Sequence, residues 1–383
     1  MTRRSFLRTA ALSAATAAVL ADGLVAYRAY DNGVMAPGRG PAFAAWHDWP
    51  AAEGPTSLVA AAVLAASAHN TQPWLFGVTG ETVDVYADLD RTTGANDPLL
   101  RELHLSLGCA LENLVLTARA QGHTADVTFG AGPPAAVASV SLHPGRATTS
   151  SLSEAIGHRR SNRSRFRPLP DVTATVEAMD SLVDASVRPA RVVWLSRGDE
   201  RRRFADLLVD ATRAHVGDDA QSQDSFAWWR SNWDSIQRHK DGLTIDGAGL
   251  PPVKRALGKL LPASTRAAAD AAFVDQTVVQ AGSAPLFGVV VTDDPSSLSE
   301  RLAGGRLIQR LHLWATAHEL GFQHMNQITE RIDRDQQLGR TNPFLGPLEE
   351  LVGPGVPLAA FRVGTPTRTS PPSPRRPARE VLR

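Results

Sequence analysis

The chain has little cysteine and little net charge. Its 383 residues include one cysteine, Cys109, which excludes an intrachain disulfide framework and a cysteine-based zinc cage. The 40 Lys and Arg residues nearly balance 39 Asp and Glu residues, for a formal net charge of +1. No nucleic-acid partner is expected, because no excess of positive charge would attract a polyanion. With 43% hydrophobic residues, the fold can depend on its core.

Several catalytic motifs are missing as well. His318 and Glu319 form no His-Glu-x-x-His zinc motif, because the next histidine, His324, falls on a different helix face. The sequence contains no Walker loop and no Gly-x-Ser-x-Gly elbow. Cys109 lies in an apolar helical stretch, where a packing role is expected. We therefore predict no metal site and assign no catalytic residue from the sequence.

The N-terminal residues predict an export signal. Arg3 and Arg4 precede Phe6-Leu7 and an Ala/Leu/Val-rich run over residues 9–21. This is the pattern of a twin-arginine signal, and we assign residues 1–40 to signal and linker. A chance Arg-Arg pair before a helix is the alternative. We expect export by the twin-arginine machinery to a periplasmic or other extracytoplasmic location, either with cleavage after Ala21 or with the signal kept as a membrane anchor.

Residues 41–150 and 151–383 are predicted to form two related halves. The first half contains a helix, a hairpin, a long helix and a strand, at residues 56–66, 74–78 with 82–86, 99–121 and 127–129. The second half contains an apolar strand, a long helix and a further strand, at residues 285–289, 301–320 and 359–363. Both long helices end at a glycine. The pattern indicates a degenerate internal duplication, with coincidence as the alternative.

A Trp-rich segment over about residues 224–252 has no counterpart in the first half. It contains Trp228, Trp229 and Trp233 together with hinge glycines. In one interpretation the segment is a lid that covers a flat aromatic ligand. In the other, it is an amphipathic helix that packs its tryptophans into the core.

Three polar clusters carry the candidate chemistry. The turn at residues 66–74, Ala-Ser-Ala-His-Asn-Thr-Gln-Pro-Trp, offers backbone N–H groups, a hydroxyl and amides. The clusters at residues 158–163 and 373–377 are rich in arginine. Arginines this close repel one another unless an anion lies among them, and a phosphate suits the guanidinium group. Taken singly, each basic cluster is also consistent with a solvated surface run.

Together the clusters resemble the motifs of nitroreductase-type flavoproteins. Residues 159–163 resemble the family's Arg-Arg-Ser-x-Arg opening, and residues 66–74 its Pro-Ser-x-x-Asn-x-Gln-Pro-Trp turn, with Ala66 in place of Pro. Residues 373–377 resemble the closing basic arm, with Ser373 in place of a basic residue, and residues 321–327 resemble the loop past the flavin. The resemblance implies an α+β, nitroreductase-like fold, internally duplicated, with mixed or antiparallel sheets flanked by helices.

The order of the motifs differs from that of simple members of the family. In those members both motifs lie in one chain, and two subunits complete each FMN site. Here the turn lies in the first half and the arginine motif in the second, as in the Acg-type branch of fused pseudo-dimers with one FMN and an inserted lid. A monomer with a single FMN is therefore expected.

The resemblance also implies cofactor contacts. The FMN-binding residues it assigns are Ser67, Ala68, Asn70, Gln72, Arg159, Arg160, Ser161, Arg163, Asn326 and Arg375. Of these, Arg159, Arg163 and Arg375 would neutralise the phosphate. Ser161 and Asn70 would bond the edge of the isoalloxazine ring.

The implied activity is an FMN-dependent oxidoreductase that passes hydride or electrons from a donor to nitro compounds or quinones. The alternative is a flavin-binding or flavin-sequestering protein with little turnover, because reduced nicotinamide is scarce outside the cytoplasm and a closed Trp-rich segment would deny access. A third interpretation, a structural protein without cofactor, leaves the three clusters unexplained.

Overall fold

The computed structural model describes residues 25–130 and 135–383. The predicted twin-arginine pair and apolar run lie outside these residues. The helices of the described ranges are α1 (residues 25–31), α2 (Ala45–Asp48), α3 (Pro55–Ala62), α4 (Arg101–Ala120), α5 (Ser151–Ala155), α6 (Val172–Asp180), α7 (Gly198–Gly217), α8 (Asp219–Ala227), α9 (Trp233–His239), α10 (Pro252–Leu260), α11 (Arg266–Gly282), α12 (Leu298–Ala317), α13 (Gln327–Gln337) and α14 (Leu345–Val352). Among the described residues, no helix has both the length and the apolar character to span a bilayer.

The strands form two larger sheets and one short pair. They are β1 (Trp74–Thr79), β2 (Thr82–Ala87), β3 (His123–Phe129), β4 (Ala136–Pro144), β5 (Phe166–Arg167), β6 (Arg191–Leu195), β7 (Trp229–Arg230), β8 (Leu243–Thr244), β9 (Leu286–Thr292), β10 (Gly321–His324) and β11 (Val356–Pro366). The first sheet has the order β1-β2-β4-β3 and the second β10-β11-β9-β6, with β5 paired to the end of β11. Every pair in these two sheets is antiparallel, whereas β7 and β8 are parallel. The α+β prediction is confirmed.

The two larger sheets share one connectivity. The orders β1-β2-β4-β3 and β6-β9-β11-β10 correspond strand for strand, and in both the long helix, α4 or α12, follows the second strand. This correspondence is what a duplicated unit would produce, although the duplication itself stays a prediction. The correspondence equates β9 with β2. By contrast, the similar stretches Pro-Trp-Leu-Phe-Gly-Val at residues 73–78 and Pro-Leu-Phe-Gly-Val at residues 285–289 would pair β9 with β1.

The long helices α4 and α12 pack against each other at the centre of the molecule. Two glycines allow their backbones to touch: a Cβ on Gly108 would lie 2.3 Å from the Leu302 carbonyl oxygen, and one on Gly305 would lie 2.2 Å from that of Leu105. Farther along, the fully buried Glu112 binds cations of α12, with oxygens 2.7 Å from Arg306 Nε and 2.6 Å from the Nε of Arg310. The two halves therefore share one interior.

The hairpin and both long helices lie close to their predicted positions. The tight turn of the hairpin requires Gly80, whose φ is +55°. The predicted helix at residues 56–66 ends early, at Ala62. The prediction missed β4, because Val137 to Val140 are all buried and lack the alternation of a half-exposed strand.

Candidate functional site

The polar turn between α3 and β1 has an unusual backbone. His69, Asn70 and Gln72 have positive φ angles of 47°, 58° and 54°, although none is glycine. Such angles are unfavourable for residues with a Cβ, and they cluster at sites that must aim a side chain. Ser67 braces the turn, because its Oγ accepts a hydrogen bond from the Gln72 N–H at 3.1 Å. The turn therefore holds its side chains in fixed directions.

Asn70 joins the turn to two distant parts of the chain. Its Nδ2 donates to the carbonyl oxygens of Gly242 at 3.1 Å and Pro374 at 3.0 Å. Its Oδ1 accepts a hydrogen bond from Arg375. The Gly242 N–H donates in return to the Asn70 carbonyl at 3.2 Å. The inserted segment and the C-terminal arm are thus both tied to the turn through one residue.

Gln72 makes a second set of ties. Its Nε2 donates to the Lys240 carbonyl at 2.8 Å, and its Oε1 accepts from the Arg376 N–H at 2.8 Å. Arg376 Nη2 also donates to the Gln72 carbonyl at 2.6 Å. Gln72 is fully buried, so its amide is committed to holding the turn, the inserted segment and the arm together.

Four arginines, Arg159, Arg160, Arg163 and Arg375, converge next to the turn. Arg160, Arg375 and Arg159 lie over the ring of Trp46, with Cζ 4.0, 5.1 and 5.7 Å from its centre. The ion pairs of the described ranges include none of the four. Arg159 Nη1 and Arg375 Nε are buried without a hydrogen-bond partner.

Burial and mutual repulsion both act against these charges. Burial, with Arg160 and Arg163 adding to it, lowers the pKa of Arg159 to about 9. Burial lowers the pKa of Arg160 to about 10, and burial together with Arg159 and Arg160 lowers that of Arg375 well below its usual range. An anion among the guanidinium groups would favour their charged forms. The cluster is therefore suited to a phosphate-like group, which accepts charge-assisted hydrogen bonds.

Two adjoining cavities lie at this cluster. The arginine cavity, about 50 Å³ in volume, is lined by the four arginines with Asn70 and Ser373. The acidic cavity, about 160 Å³, is lined on its far side by Glu102, Glu330 and His324. The walls common to both are Ala66, Ser67, Ser161, Arg163 and Leu243. A ligand that enters both can place an anionic group among the arginines and the rest of its body against the acidic wall.

Glu102 is a buried carboxyl group in the acidic cavity. Its Oε2 accepts a hydrogen bond from Asn326 Nδ2 at 2.8 Å, and its Oε1 has no hydrogen-bond partner. Arg101 lies 3.5 Å from Oε1 but donates to Asp333 at 2.8 Å. Burial raises the pKa of Glu102 to about 8; Arg101 opposes this rise and Glu330 adds to it. The surroundings of Glu102 therefore favour its protonated form.

Glu330, in the same cavity, has the opposite tendency. Burial acts to raise the pKa of Glu330, but His215, His69 and Arg101 together outweigh burial and lower it. His215 Nδ1 lies 3.6 Å from Glu330 Oε2, and its Nε2 lies 2.9 Å from Ser225 Oγ. Ser225 Oγ in turn lies 3.3 Å from His69 Nε2. Two carboxyl groups that face one cavity and whose pKa values are shifted in opposite directions are the arrangement of an acid–base pair.

The inserted segment borders both cavities through its backbone and small side chains. Leu243 lines both cavities, and Gly242 and Thr244 line the arginine cavity. Trp233 packs against the hydrophobic core, and Trp228 contacts two arginines. The segment therefore lines the site, and Trp233 packs into the core as the second interpretation expects, whereas its role as a lid stays a prediction.

Sequence comparisons identify proteins to which this chain is similar. The chain is 26% identical to the putative NAD(P)H nitroreductase acg of Mycobacterium tuberculosis over 345 residues, which cover 85% of this chain and 94% of that protein. Over most of its length the chain is similar to the nitroreductase-like family. The predicted resemblance to its Acg-type members is confirmed.

Another relative matches over a shorter stretch. A second putative NAD(P)H nitroreductase of M. tuberculosis is 29% identical to this chain over 197 residues. These residues make up 50% of this chain and 55% of that protein, so the chain spans about half the length of this curated relative. No family model matches the chain.

Solved structures resemble this chain over part of its length and at lower sequence identity. A nitroreductase with bound FMN from Desulfitobacterium hafniense is 11% identical with a TM-score of 0.35, and covers 59% of this chain and 94% of its own. The FMN-dependent nitroreductase NfnB from Mycobacterium smegmatis, in complex with NADPH, is 17% identical with a TM-score of 0.33, and covers 61% and 97%.

The fold of this nitroreductase-like protein brings together nine of the ten residues assigned from the motifs. Those that line one or both cavities are Ser67, Ala68, Asn70, Arg159, Arg160, Ser161, Arg163, Asn326 and Arg375. Gln72 lines neither cavity. Asn70 lines the arginine cavity and not the acidic one, so its amide lies on the side expected for phosphate rather than ring.

Sequence reasoning missed the acidic wall. Glu102, Ser106 and Cys109 follow one another at helical spacing on α4, and all three line the acidic cavity. Two polar residues on one face of an apolar helix were the available signal. Cys109 is buried, its Sγ lies 3.3 Å from the Gly305 carbonyl oxygen, and burial raises its pKa to about 12, which favours packing over nucleophilic attack.

Proposed function

We propose that the two cavities together bind one FMN, with the phosphate in the arginine cavity and the isoalloxazine ring in the acidic cavity. The observation that carries this proposal is a cluster of four arginines that lacks a carboxylate partner among the described residues. Buried positive charge of this kind is strongly unfavourable unless an anion neutralises it. A phosphate at the end of a flat, largely apolar ligand supplies that anion.

The residues present fit the cofactor. Arg159 Nη1 and Arg375 Nε are buried donors without partners, as a phosphate site requires. Ser67 and Ser161 stand where the cavities meet, which is the position for contacts to the chain between phosphate and ring. Leu105, Ile308 and Phe273 supply apolar surface to the acidic cavity for the ring.

The proposed activity is a nitroreductase-type oxidoreduction, with a reduced nicotinamide or another donor and a nitro compound or quinone as acceptor. FMN, when bound, supplies hydride or electron transfer. The chain's own part is to hold the phosphate, exclude water and keep a proton on Glu102. Asn326 orients that carboxyl group through the hydrogen bond from its Nδ2, while the Ala360 N–H fixes the amide by donating to its Oδ1 at 2.8 Å.

The hydrogen bonds across the site favour flavin sequestration as a second candidate function. Asn70 and Gln72 hold residues 240–242 over the turn, and Asp241 pairs with Arg91 and with Arg230, whose Nε lies 2.8 Å from it. A segment held this firmly would slow the entry of substrate. We infer that Asn70→Ala would then speed FMN release, and stopped-flow fluorescence on dilution of loaded protein measures this. An unchanged release rate would favour an open site and turnover.

We also propose that the protein is exported by the twin-arginine machinery to an extracytoplasmic location, and that it is a fused pseudo-dimer with a single site. Arg3, Arg4 and the apolar run that follows support the first. The shared connectivity of the two sheets supports the second, with the boundary between the halves near residue 150.

The decisive experiment compares FMN with riboflavin, which lacks the phosphate. We expect about one FMN per chain, seen as flavin absorption and quenched flavin fluorescence. Riboflavin should bind roughly 100-fold more weakly, because two charge-assisted hydrogen bonds contribute about 3 kcal/mol or more. Equal affinity for the two flavins would contradict the arginine cavity as phosphate site, and a protein that binds neither would overturn the flavin proposal.

A further inference from the structure

Helix α10 presents its apolar face outward. Val253 and Leu257, four residues apart on one helix face, are 70% and 53% exposed, and Leu261 just beyond the helix is 65% exposed. Lys259 is instead buried, and its Nζ lies 2.6 Å from Asp246 Oδ2. This is the reverse of a surface helix packed on its apolar side. An apolar stripe left in water by the fold calls for a partner outside the described chain.

The exposed apolar surface continues onto α1. Asn32 Nδ2 donates to the Lys259 carbonyl at 2.8 Å, and Lys259 Nζ donates to the Gly33 carbonyl at 3.0 Å, so the end of α1 is fixed against α10. Tyr27 and Tyr30 are 63% and 87% exposed. Seven of the twelve exposed large apolar side chains of the described ranges belong to these two contacting segments: Val25, Tyr27, Tyr30, Met35, Val253, Leu257 and Leu261.

The charge on the α10 side of this apolar surface has one sign, whereas α1 carries both Arg28 and the exposed Asp31. The stretch from residue 250 to 266 contains four cations, Lys254, Arg255, Lys259 and Arg266, and no carboxylate. Lys254 is exposed next to Val253, whereas Arg255 and Lys259 turn toward the buried Asp246. Helix α10 thus combines exposed apolar residues with cationic side chains, and exposed tyrosines lie beside it. This combination is typical of a surface that binds the interface of an anionic lipid bilayer.

The position of the surface along the chain points to the same partner. The apolar run over residues 9–21 ends a few residues before α1. If that run associates with a membrane, α1 and the attached α10 are the first folded elements to meet the lipid headgroups. We propose that the α1–α10 surface, comprising the seven exposed apolar side chains and Lys254, docks the folded protein onto the surface of an anionic lipid bilayer.

A spin label on α10 tests the proposal in the full chain. Cys109 is buried, so a nitroxide reagent labels Leu257→Cys selectively. On vesicles of equimolar phosphatidylcholine and phosphatidylglycerol, we expect collisions of the label with an aqueous nickel chelate to fall several-fold and collisions with oxygen to rise. The matched control is Val279→Cys on α11, an exposed apolar position at 39% exposure that should stay water-accessible.

Three other outcomes of these measurements would contradict the proposal. A chain that floats with vesicles while the label at residue 257 stays in water would show that the N-terminal run alone binds lipid, and would overturn the proposal. A label already immobilised before vesicles are added would mean that another part of the chain, or a second copy, covers the surface, and would overturn it too. Lys254→Glu should lower the lipid-buried fraction of the label about fivefold or more, since one cation near an anionic surface contributes about that factor. No change would contradict an anionic partner.

Discussion

At the residue scale, the buried arginines set what the site can bind. Arg159 and Arg375 are each 2% exposed, and each has a buried nitrogen that lacks a hydrogen-bond partner. A neutral ligand leaves these buried charges without a counter-ion, whereas a phosphate supplies one. The preference for an anionic ligand therefore follows from burial of unpaired charge, with no contribution from the protein's overall charge, which is close to zero.

We predict that Arg375→Gln weakens FMN binding by about 10- to 100-fold, because it removes one charged donor from the phosphate site. Fluorescence titration of flavin-free protein measures the change. Arg379→Gln is the matched control, since Arg379 lies four residues along the same arm and is exposed. Riboflavin affinity should be nearly unchanged in Arg375→Gln. An equal loss for both flavins would indicate a general distortion of the site instead.

Glu102 makes folding stability depend on pH. Burial raises its pKa from 4.5 to about 8, so between these values the folded state holds a proton that the unfolded state has lost. Its contribution to the free energy of unfolding therefore falls as pH rises through that window. We predict that Glu102→Gln has a higher free energy of unfolding than the wild type at pH 8, by roughly 4 kcal/mol, with a difference about half as large at pH 6. Urea unfolding at both pH values measures this.

The control for that prediction is Glu177→Gln on α6, because Glu177 is exposed. Its stability difference from the wild type should not change with pH. If Glu102→Gln and the wild type have the same free energy of unfolding at both pH values, then Glu102 is ionised in the folded protein. In that case the carboxyl pair of the acidic cavity would not work as acid and base.

The arginine cluster and the polar turn could be predicted from the sequence, whereas the acidic wall could not. Arg159 to Arg163 and Ser67 to Gln72 are each continuous in the chain, so their chemistry is visible as a pattern. Glu102 and Glu330 are 228 positions apart and meet only because α4 and α13 face the same cavity. A carboxyl group inside an otherwise apolar helix is a weak signal, since most such residues turn to solvent.

At the element scale, the crossing of α4 and α12 fixes the site. Glu102 and Cys109 line the acidic cavity from α4, and Ile308 lines it from α12. Gly108 and Gly305 let the helix backbones touch between these residues. A change in the separation of the two helices would therefore move both walls of the cavity.

We predict that Gly305→Ala lowers the free energy of unfolding by about 3 kcal/mol or more, because its Cβ would lie 2.2 Å from the Leu105 carbonyl oxygen, a backbone atom that cannot turn aside. Thermal and urea unfolding measure the loss. Gly282→Ala, at the end of α11, is the matched control, since no atom lies within 4 Å of its added Cβ. Similar stability in the two variants would mean that the helices are farther apart than described.

Elements with a clear hydrophobic period could be predicted from the sequence, whereas strands that are defined by pairing with other strands could not. The apolar spacing of α4 and the glycine at the hairpin of β1 and β2 are local signals. By contrast, β6 and β4 are recognised through their neighbours β9 and β2. The ties of the inserted segment to Asn70 and Gln72 are also invisible in the sequence, since they join residues about 170 positions apart.

At the scale of the whole molecule, the two predicted halves enclose a common interior. Helices α4 and α12 come from different halves and are buried along most of their length. The arginine motif and the polar turn, also from different halves, line one arginine cavity. Both predicted halves therefore contribute to one cavity, as the proposed fused pseudo-dimer requires.

We therefore predict that the FMN-loaded protein sediments as a monomer with one FMN per chain, because the helix surfaces available for pairing are already covered by the other half. Analytical ultracentrifugation over a wide concentration range measures this. The exposed apolar stripe of α10 provides a separate route to association, so the wild type should be compared with Leu257→Ser. Dimers that disappear in Leu257→Ser would place the contact on α10 and leave the fused arrangement intact. Dimers that persist in that variant, or two FMN per chain, would contradict a pseudo-dimer with a single site.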